Sequence, residues 1–266
     1  MLDDQYDEND EWIPPTPVEL GSLLFGGEAG IEDFKRICES HPDWRPNLQG
    51  FDFMNANLEG ISLYEADCTG ANFTGARLQD ADLSECILEG ANFRGAILYR
   101  ANLSQAEMKN AGFKDAVLEE ANLTQVSAVN ANFEGSNLER ACFARADLTS
   151  ANFHLARMSG CTLIKACASG ANFTKANLEE VQAQRANFVG AVMNSTLCIN
   201  ADFEHANFSS TDLAGANFTN CDVYGAILDT GKINEFNFWD AEGVPRSFLN
   251  AYIKALEASL EVDENH

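Results

Sequence analysis

With 266 residues, 45% of them hydrophobic, the chain is long enough to bury a substantial core in one domain or one repeat array. A formal net charge of −24 argues against nucleic acid or an anionic membrane surface as a direct ligand, since both are bound through Lys and Arg. There is no apolar run of about 18 residues, the length a spanning helix needs, and the acidic start "MLDDQYDENDEW" is unlike a basic leader, so a cytoplasmic protein is expected.

Residues 1–12, with Asp3, Asp4, Asp7, Glu8, Asp10 and Glu11, read as a solvated acidic tail. Thr16-Pro17-Val18-Glu19 then has the form of a capping box with proline at the first helical position. It predicts a short helix to about Phe25, broken by Gly26-Gly27. A second helix is expected over 31–40, with Ile31, Phe34, Ile37 and Cys38 on one side.

From Leu48 onward the chain repeats every five residues. Stepping by five from Phe53 meets Leu58, Leu63, Cys68, Phe73, Leu78 and so on to Phe238, with no insertion or deletion. Two positions before each large residue stands a small one, mostly Ala. Two positions after it Gly is concentrated, with Asn at 110, 130, 200 and 220, marking a turn position with φ > 0. Asn or Asp just before the large residue is placed to bond neighbouring backbone and to stack on its equivalent in the next coil.

Phe53, Phe73, Phe93, Phe113, Phe133, Phe153 and Phe173 are spaced by twenty, and Met193, Leu213 and Ile233 continue their column. A period of twenty on a repeat of five predicts a square solenoid of parallel β-ladders, about ten coils over residues 46–241. Where the large position shrinks to Ala128 or Ala183, the small one grows to Val126 or Val181, as a filled core requires. Of the eight cysteines, Cys68 and Cys198 occupy large positions and Cys86, Cys161 and Cys221 small ones, which reads them as core hydrophobes. Cys38, Cys142 and Cys167 have no such assignment, and there is no CxxC pair.

A solenoid exposes its core at both ends. Residues 1–45 are therefore expected to form an acidic tail and N-terminal helical cap, and residues 242–266 a C-terminal capping helix. That helix would run from Pro245 to about Glu261, its stripe of Phe248, Leu249, Tyr252, Ile253, Leu256 and Leu260 lying near Phe236, Phe238 and Trp239. The same stripe is the candidate for a homodimer contact; otherwise the chain would be a monomer.

The A-(D/N)-(L/F)-x-x register, as in "ANFTGARLQDADL" and "ADFEHANFSSTDLAGANF", resembles the pentapeptide-repeat family. The resemblance implies a right-handed quadrilateral β-helix. It also brings two precedents: DNA-mimicking protection of type II topoisomerase from quinolones, and cyanobacterial developmental regulation.

A filled prism offers no concave site in which catalytic groups converge. His154 and His205 fall on different sides and coils, and no P-loop, GxSxG or HExxH occurs, so neither an enzyme nor a metal or cofactor is expected. Binding to a protein partner is the better class. At about 4.8 Å per coil the array is roughly 47 Å long, a length of duplex DNA that carries about 28 charges. Residues 46–241 hold 24 acidic and 12 basic residues, less than half that density.

The most acidic wall bears Glu59, Asp80, Glu119, Glu120, Glu139, Glu179 and Glu180, interrupted by Arg77, Arg100, Arg140 and Arg157. Outward apolar residues form the alternative surface: Ile97, Tyr99 and Val117, then Leu197, Ile199 and Trp239. The expectation is a non-enzymatic interaction scaffold presenting a β-wall to an unidentified protein. The alternative is a DNA mimic acting on a type II topoisomerase such as gyrase.

Overall fold

Thr16 opens the first helix as its spacing to Glu19 requires. Its backbone N–H donates to Glu19 Oε2 at 2.8 Å, and its Oγ1 accepts from the Glu19 N–H at 3.4 Å, closing the capping box. In the protein, described by a computed structural model over residues 12–229, 236–246, 249, 252 and 253, this helix is α1 (Pro17–Leu24). Of the solvated tail expected at 1–12, residues 1–11 lie outside the described residues, as do Ile233, Phe248, Leu256, Leu260 and Glu261; Trp12 is packed instead, its ring stacked on His41 at 3.7 Å against the core.

The second helix, α2 (Gly27–Ser40), begins four residues before the expected Ile31. Packing overrides the poor helix propensity of its first turn: a Cβ at Gly30 would stand 2.2 Å from the Leu23 carbonyl oxygen, so only glycine lets the helices approach this closely. Leu20, Leu23, Leu24, Phe34 and Ile37 share one buried cluster with Leu48 and Phe53 of the first coil. The Phe25 ring lies 5.6 Å from that of Phe53.

Beyond α2 the backbone turns a right angle every five residues. Phe53 N donates to Asn72 O at 2.7 Å, Asn72 N donates to Phe51 O at 2.8 Å, and Ala56 N closes the corner on Phe53 O at 3.0 Å. Each described bridge joins residue i to residue i+20 in parallel, from Asn47–Asp67 to Asp222–Glu242. A coil is therefore twenty residues with four walls. We number them by their buried centres: wall 1 holds Phe53 and Phe73, wall 2 Leu58 and Leu78, wall 3 Leu63 and Leu83, and wall 4 Leu48 and Cys68.

From Gly50 through Gly225 every fifth residue has φ between +53° and +67°. The left-handed corner extends well beyond the expected Gly and Asn, to Glu65, Arg100, Leu155 and Lys165 among others. Each such L-residue costs about 1–2 kcal/mol relative to a relaxed backbone, a strain the ladders on both sides impose.

The predicted phenylalanine column is present. Successive rings from Phe53 to Phe173 are 4.6 to 4.9 Å apart with planes within 12°. At Phe173 the aromatic volume changes walls: Met193 follows on wall 1, and Phe188 enters from wall 4, edge-on to Phe173 at 5.7 Å and stacked on Phe208 at 5.1 Å. Cys86, Cys161 and Cys221 fill small inward positions as expected, their thiols donating to the carbonyls of Leu63, Leu138 and Cys198. Outside, asparagines stack: Asn172 donates to Asn152 and Asn152 to Asn132, at 3.1 and 3.0 Å.

At the far end, residues 246, 249, 252 and 253 are helical, and Leu249 N donates to Pro245 O at 3.1 Å. Tyr252 lies edge-on to Phe238 at 4.8 Å, its hydroxyl donating to Phe236 O. Trp239 stays outside this contact, 75% exposed.

Candidate functional site

The period of twenty has a consequence for the two surfaces picked out in the sequence. Ile97, Val117 and Leu197 stand just before a wall 2 centre, and Tyr99, Ile199 and Trp239 just after one. Glu59, Glu119, Glu139 and Glu179 share the second of these positions, and Asp80, Glu120 and Glu180 occupy the adjoining corner. The apolar and acidic surfaces are one surface.

Its charges are largely settled within the chain. Arg77 pairs with Glu59 at 3.3 Å, Arg100 with Asp80 at 2.7 Å, and Arg140 with Glu120 at 3.0 Å and also with Glu119. Arg157 pairs with Glu139. The hydrogen bond from Arg100 holds the Asp80 carboxyl below the ordinary carboxylate range. Among the described residues Glu179 and Glu180 have no ion pair; Glu179 accepts a hydrogen bond from Asn177 Nδ2 at 3.1 Å.

The apolar members differ in how much they present. Ile97 and Val117 bridge adjacent coils and are half-buried, as are Tyr99 and Ile199. The Tyr99 hydroxyl donates to Glu120 Oε2 at 3.2 Å, and the Arg100 guanidinium sits 5.0 Å from its ring centre. Leu197 is 42% exposed, and Trp239 is the most open of the six. Leu155, which the sequence reading passed over, is 51% exposed at the corner between walls 1 and 2, between the two clusters. Its signal was present: a leucine stands where the register calls for Gly or Asn.

No convergent chemistry is assembled on these walls. His154 lies on wall 1, its Nδ1 3.0 Å from Thr174 O, while His205 lies at the corner of walls 3 and 4 beside Glu204. Among the described residues no group of three or more His, Cys, Asp or Glu is arranged to hold a metal, and no helix is long and apolar enough to cross a membrane. A cavity of about 590 Å³ opens at the far end between Phe238, Trp239, Val244, Leu249 and Tyr252; among the described residues its lining is apolar but for Asn237, Asp240 and the Tyr252 hydroxyl.

Set beside known proteins, the repeats have a clear counterpart. The family described as pentapeptide repeats matches in 8 copies, over residues 52–90, 76–115, 86–125, 116–154, 156–194 and 196–230. No curated protein matches the chain significantly. Among solved structures it is similar to HetL, a pentapeptide repeat protein involved in heterocyst differentiation regulation from the cyanobacterium Nostoc sp. strain PCC 7120. The identity is 28% over 79% of this chain and 98% of that one, with a TM-score of 0.47. It is also similar to full-length QnrB1, a plasmid-mediated fluoroquinolone resistance protein, at 18% identity over 80% and 97% of the two chains, TM-score 0.41. A pentapeptide repeat protein of the Arabidopsis thaliana thylakoid lumen shares 27% identity over 36% of this chain and 63% of that one, TM-score 0.25. The chain belongs to the pentapeptide repeat family.

Proposed function

We propose that this protein is a non-enzymatic interaction scaffold that presents wall 2 to a protein partner. The observation that carries the reading is the grouping of outward apolar residues on one wall where Glu59, Asp80, Glu119, Glu120 and Glu139 are already paired with its own arginines. A partner docking there desolvates Leu155, Leu197 and Trp239 and meets unpaired carboxylates of that set only at Glu179 and Glu180. In the same proposal, residues 46–241 form about ten coils, residues 1–45 contain the N-terminal cap, and residues 242–266 the C-terminal one. A cytoplasmic location belongs to it as well.

The test is affinity purification from lysate of the source organism with the wild-type protein and with Ile97→Glu and Leu197→Glu. A partner retained by the wild type and lost by both variants supports the surface. Retention of every partner by both variants overturns it.

A DNA mimic toward a type II topoisomerase has less support. Such a surface needs carboxylates at phosphate density, and Arg77, Arg100, Arg140 and Arg157 cancel most of those on wall 2. The expected result is no change in gyrase supercoiling at micromolar protein; inhibition at low salt would reverse the ranking.

A further inference from the structure

The corner between walls 3 and 4 is unlike the other three. Read one coil at a time it runs Glu65, Glu85, Gln105, Gln125, Arg145, Lys165, Arg185, each with left-handed φ between +53° and +61°. All but the half-buried Glu65 are exposed. Glycine removes the strain of this backbone, and the corner between walls 4 and 1 uses only Gly, Asn and Ser from Gly50 to Ser210. Here seven consecutive coils accept the strain and carry long polar side chains instead.

Apart from one long hydrogen bond from Gln105 to Glu85 at 3.5 Å, those side chains are not spent on one another. On the corner between walls 2 and 3, Asp80, Arg100, Glu120 and Arg140 alternate in sign and pair along the stack. On this corner like charges stack about 4.8 Å apart, the coil spacing. Among the described residues Arg145, Lys165 and Arg185 make no ion pair. On the flanking walls 3 and 4 between residues 142 and 200, Asp147 is the one acidic residue. Three unpaired cations in line, in a chain of net charge −24, call for an anionic surface.

That surface lies four coils away on the same corner. The order acid, acid, amide, amide, base, base, base is self-complementary when a second copy is laid against it in the opposite direction. We propose that this edge is an antiparallel homodimer contact with its two-fold axis at Gln125. Glu65 then faces Arg185 of the other copy, Glu85 faces Lys165, and Gln105 faces Arg145. Each pairing occurs twice, as an isologous interface requires. Arg45 already engages Glu65 within the chain, and Glu85 accepts from the Tyr64 hydroxyl at 3.2 Å and from Gln105 at 3.5 Å; each carboxylate keeps further acceptor sites. Around the proposed axis the residues just before this corner, Ser84, Ser104, Thr124 and Ala144, are small enough for the two edges to meet.

Sedimentation of the full chain tests this. An edge of seven coils is smaller than a standard stable interface, so the experiment runs at about 200 µM protein. Salt of about 0.15 M screens the repulsion between two acidic rods beyond about 8 Å. The expected species has twice the 29.0 kDa chain mass and reverts to monomer as the salt is raised to about 1 M. Two edge variants, R145E/K165E/R185E and E65K/E85K, should each be monomeric while keeping the wild-type circular dichroism. Mixed one to one they should form a heterodimer, because every facing at 65–185 and at 85–165 is again of opposite sign, with the neutral Gln105 still set against position 145. Leu197→Glu, on wall 2, should dimerise as the wild type does, which separates this edge from the partner surface proposed above. A wild type that is monomeric throughout, folded edge variants that still dimerise, or a mixture that stays monomeric would each overturn the proposal.

Discussion

The rings of Phe93 and Phe113 lie 4.7 Å apart and within 2° of parallel, and Phe133 continues the stack at 4.9 Å. Phe113 is fully buried, with coils above and below held at fixed spacing by their ladders, so its neighbours have no freedom to close a gap. Phe113→Ala should cost about 3–5 kcal/mol of unfolding free energy, measured by urea titration. A cost under about 1 kcal/mol would mean that the column relaxes.

Two glycines separate strain from contact. Gly90 has φ +65° with open space where a Cβ would go, so Gly90→Ala should cost only the left-handed strain, about 1 kcal/mol. Gly30→Ala forces α1 off α2 and should cost about 1–3 kcal/mol. Amide exchange locates the difference: protection should fall in α1 for Gly30→Ala and be unchanged there for Gly90→Ala.

Acidification should act through wall 2. The Arg100 hydrogen bond lowers the Asp80 pKa in the folded protein. The stabilisation is therefore complete above the unfolded carboxylate value of about 3.9 and is lost as pH falls through the folded value. Asp80→Asn should remove that part of the curve. Comparing the two proteins by denaturant melts between about pH 7 and pH 3 cancels the relief of net negative repulsion common to both. Parallel curves would contradict the assignment.

Thiol labelling should single out Cys167. Burial pushes its thiol up, but hydrogen bonds from Thr149 and from the backbone and hydroxyl of Ser169 together bring it below the ordinary value. Burial pushes Cys86 up to about 12 and Cys198 well above its ordinary value. A maleimide or disulfide reagent should modify Cys167 far ahead of those two, and Cys167→Ser should remove that fast step.

What the sequence revealed depended on whether a local rule or the coil length carried the signal. The phenylalanine column was legible because side chains of one kind recur at a fixed spacing. The capping box was legible because all its parts lie within four residues. The start of α2 was not, since Gly27 and Gly30 are poor helix formers, and the approach of Leu23 that requires Gly30 is a tertiary contact. The left-handed corners at Glu65, Arg100 and Leu155 were hidden for a related reason: local preference assigns that backbone to Gly and Asn. The arginines of wall 2 were visible as interruptions of an acidic wall, but their partners lie 18 to 21 residues away. Finding them requires applying the coil length to charged positions as well as to apolar ones.

Because each bridge spans twenty residues, the molecule behaves as an indexed shaft. Inserting one whole coil between Val117 and Leu197 would lengthen the rod by about 4.8 Å and leave every outward side chain pointing as before. Inserting a single pentapeptide after Val117 would keep every centre pointing inward, yet break the phenylalanine column beyond Phe113 and rotate everything after it by a quarter turn. Leu197 and Trp239 would leave the wall of Ile97, and Arg145 would leave the corner of Glu85. Core stacking and recognition would both hold this chain's length to multiples of twenty.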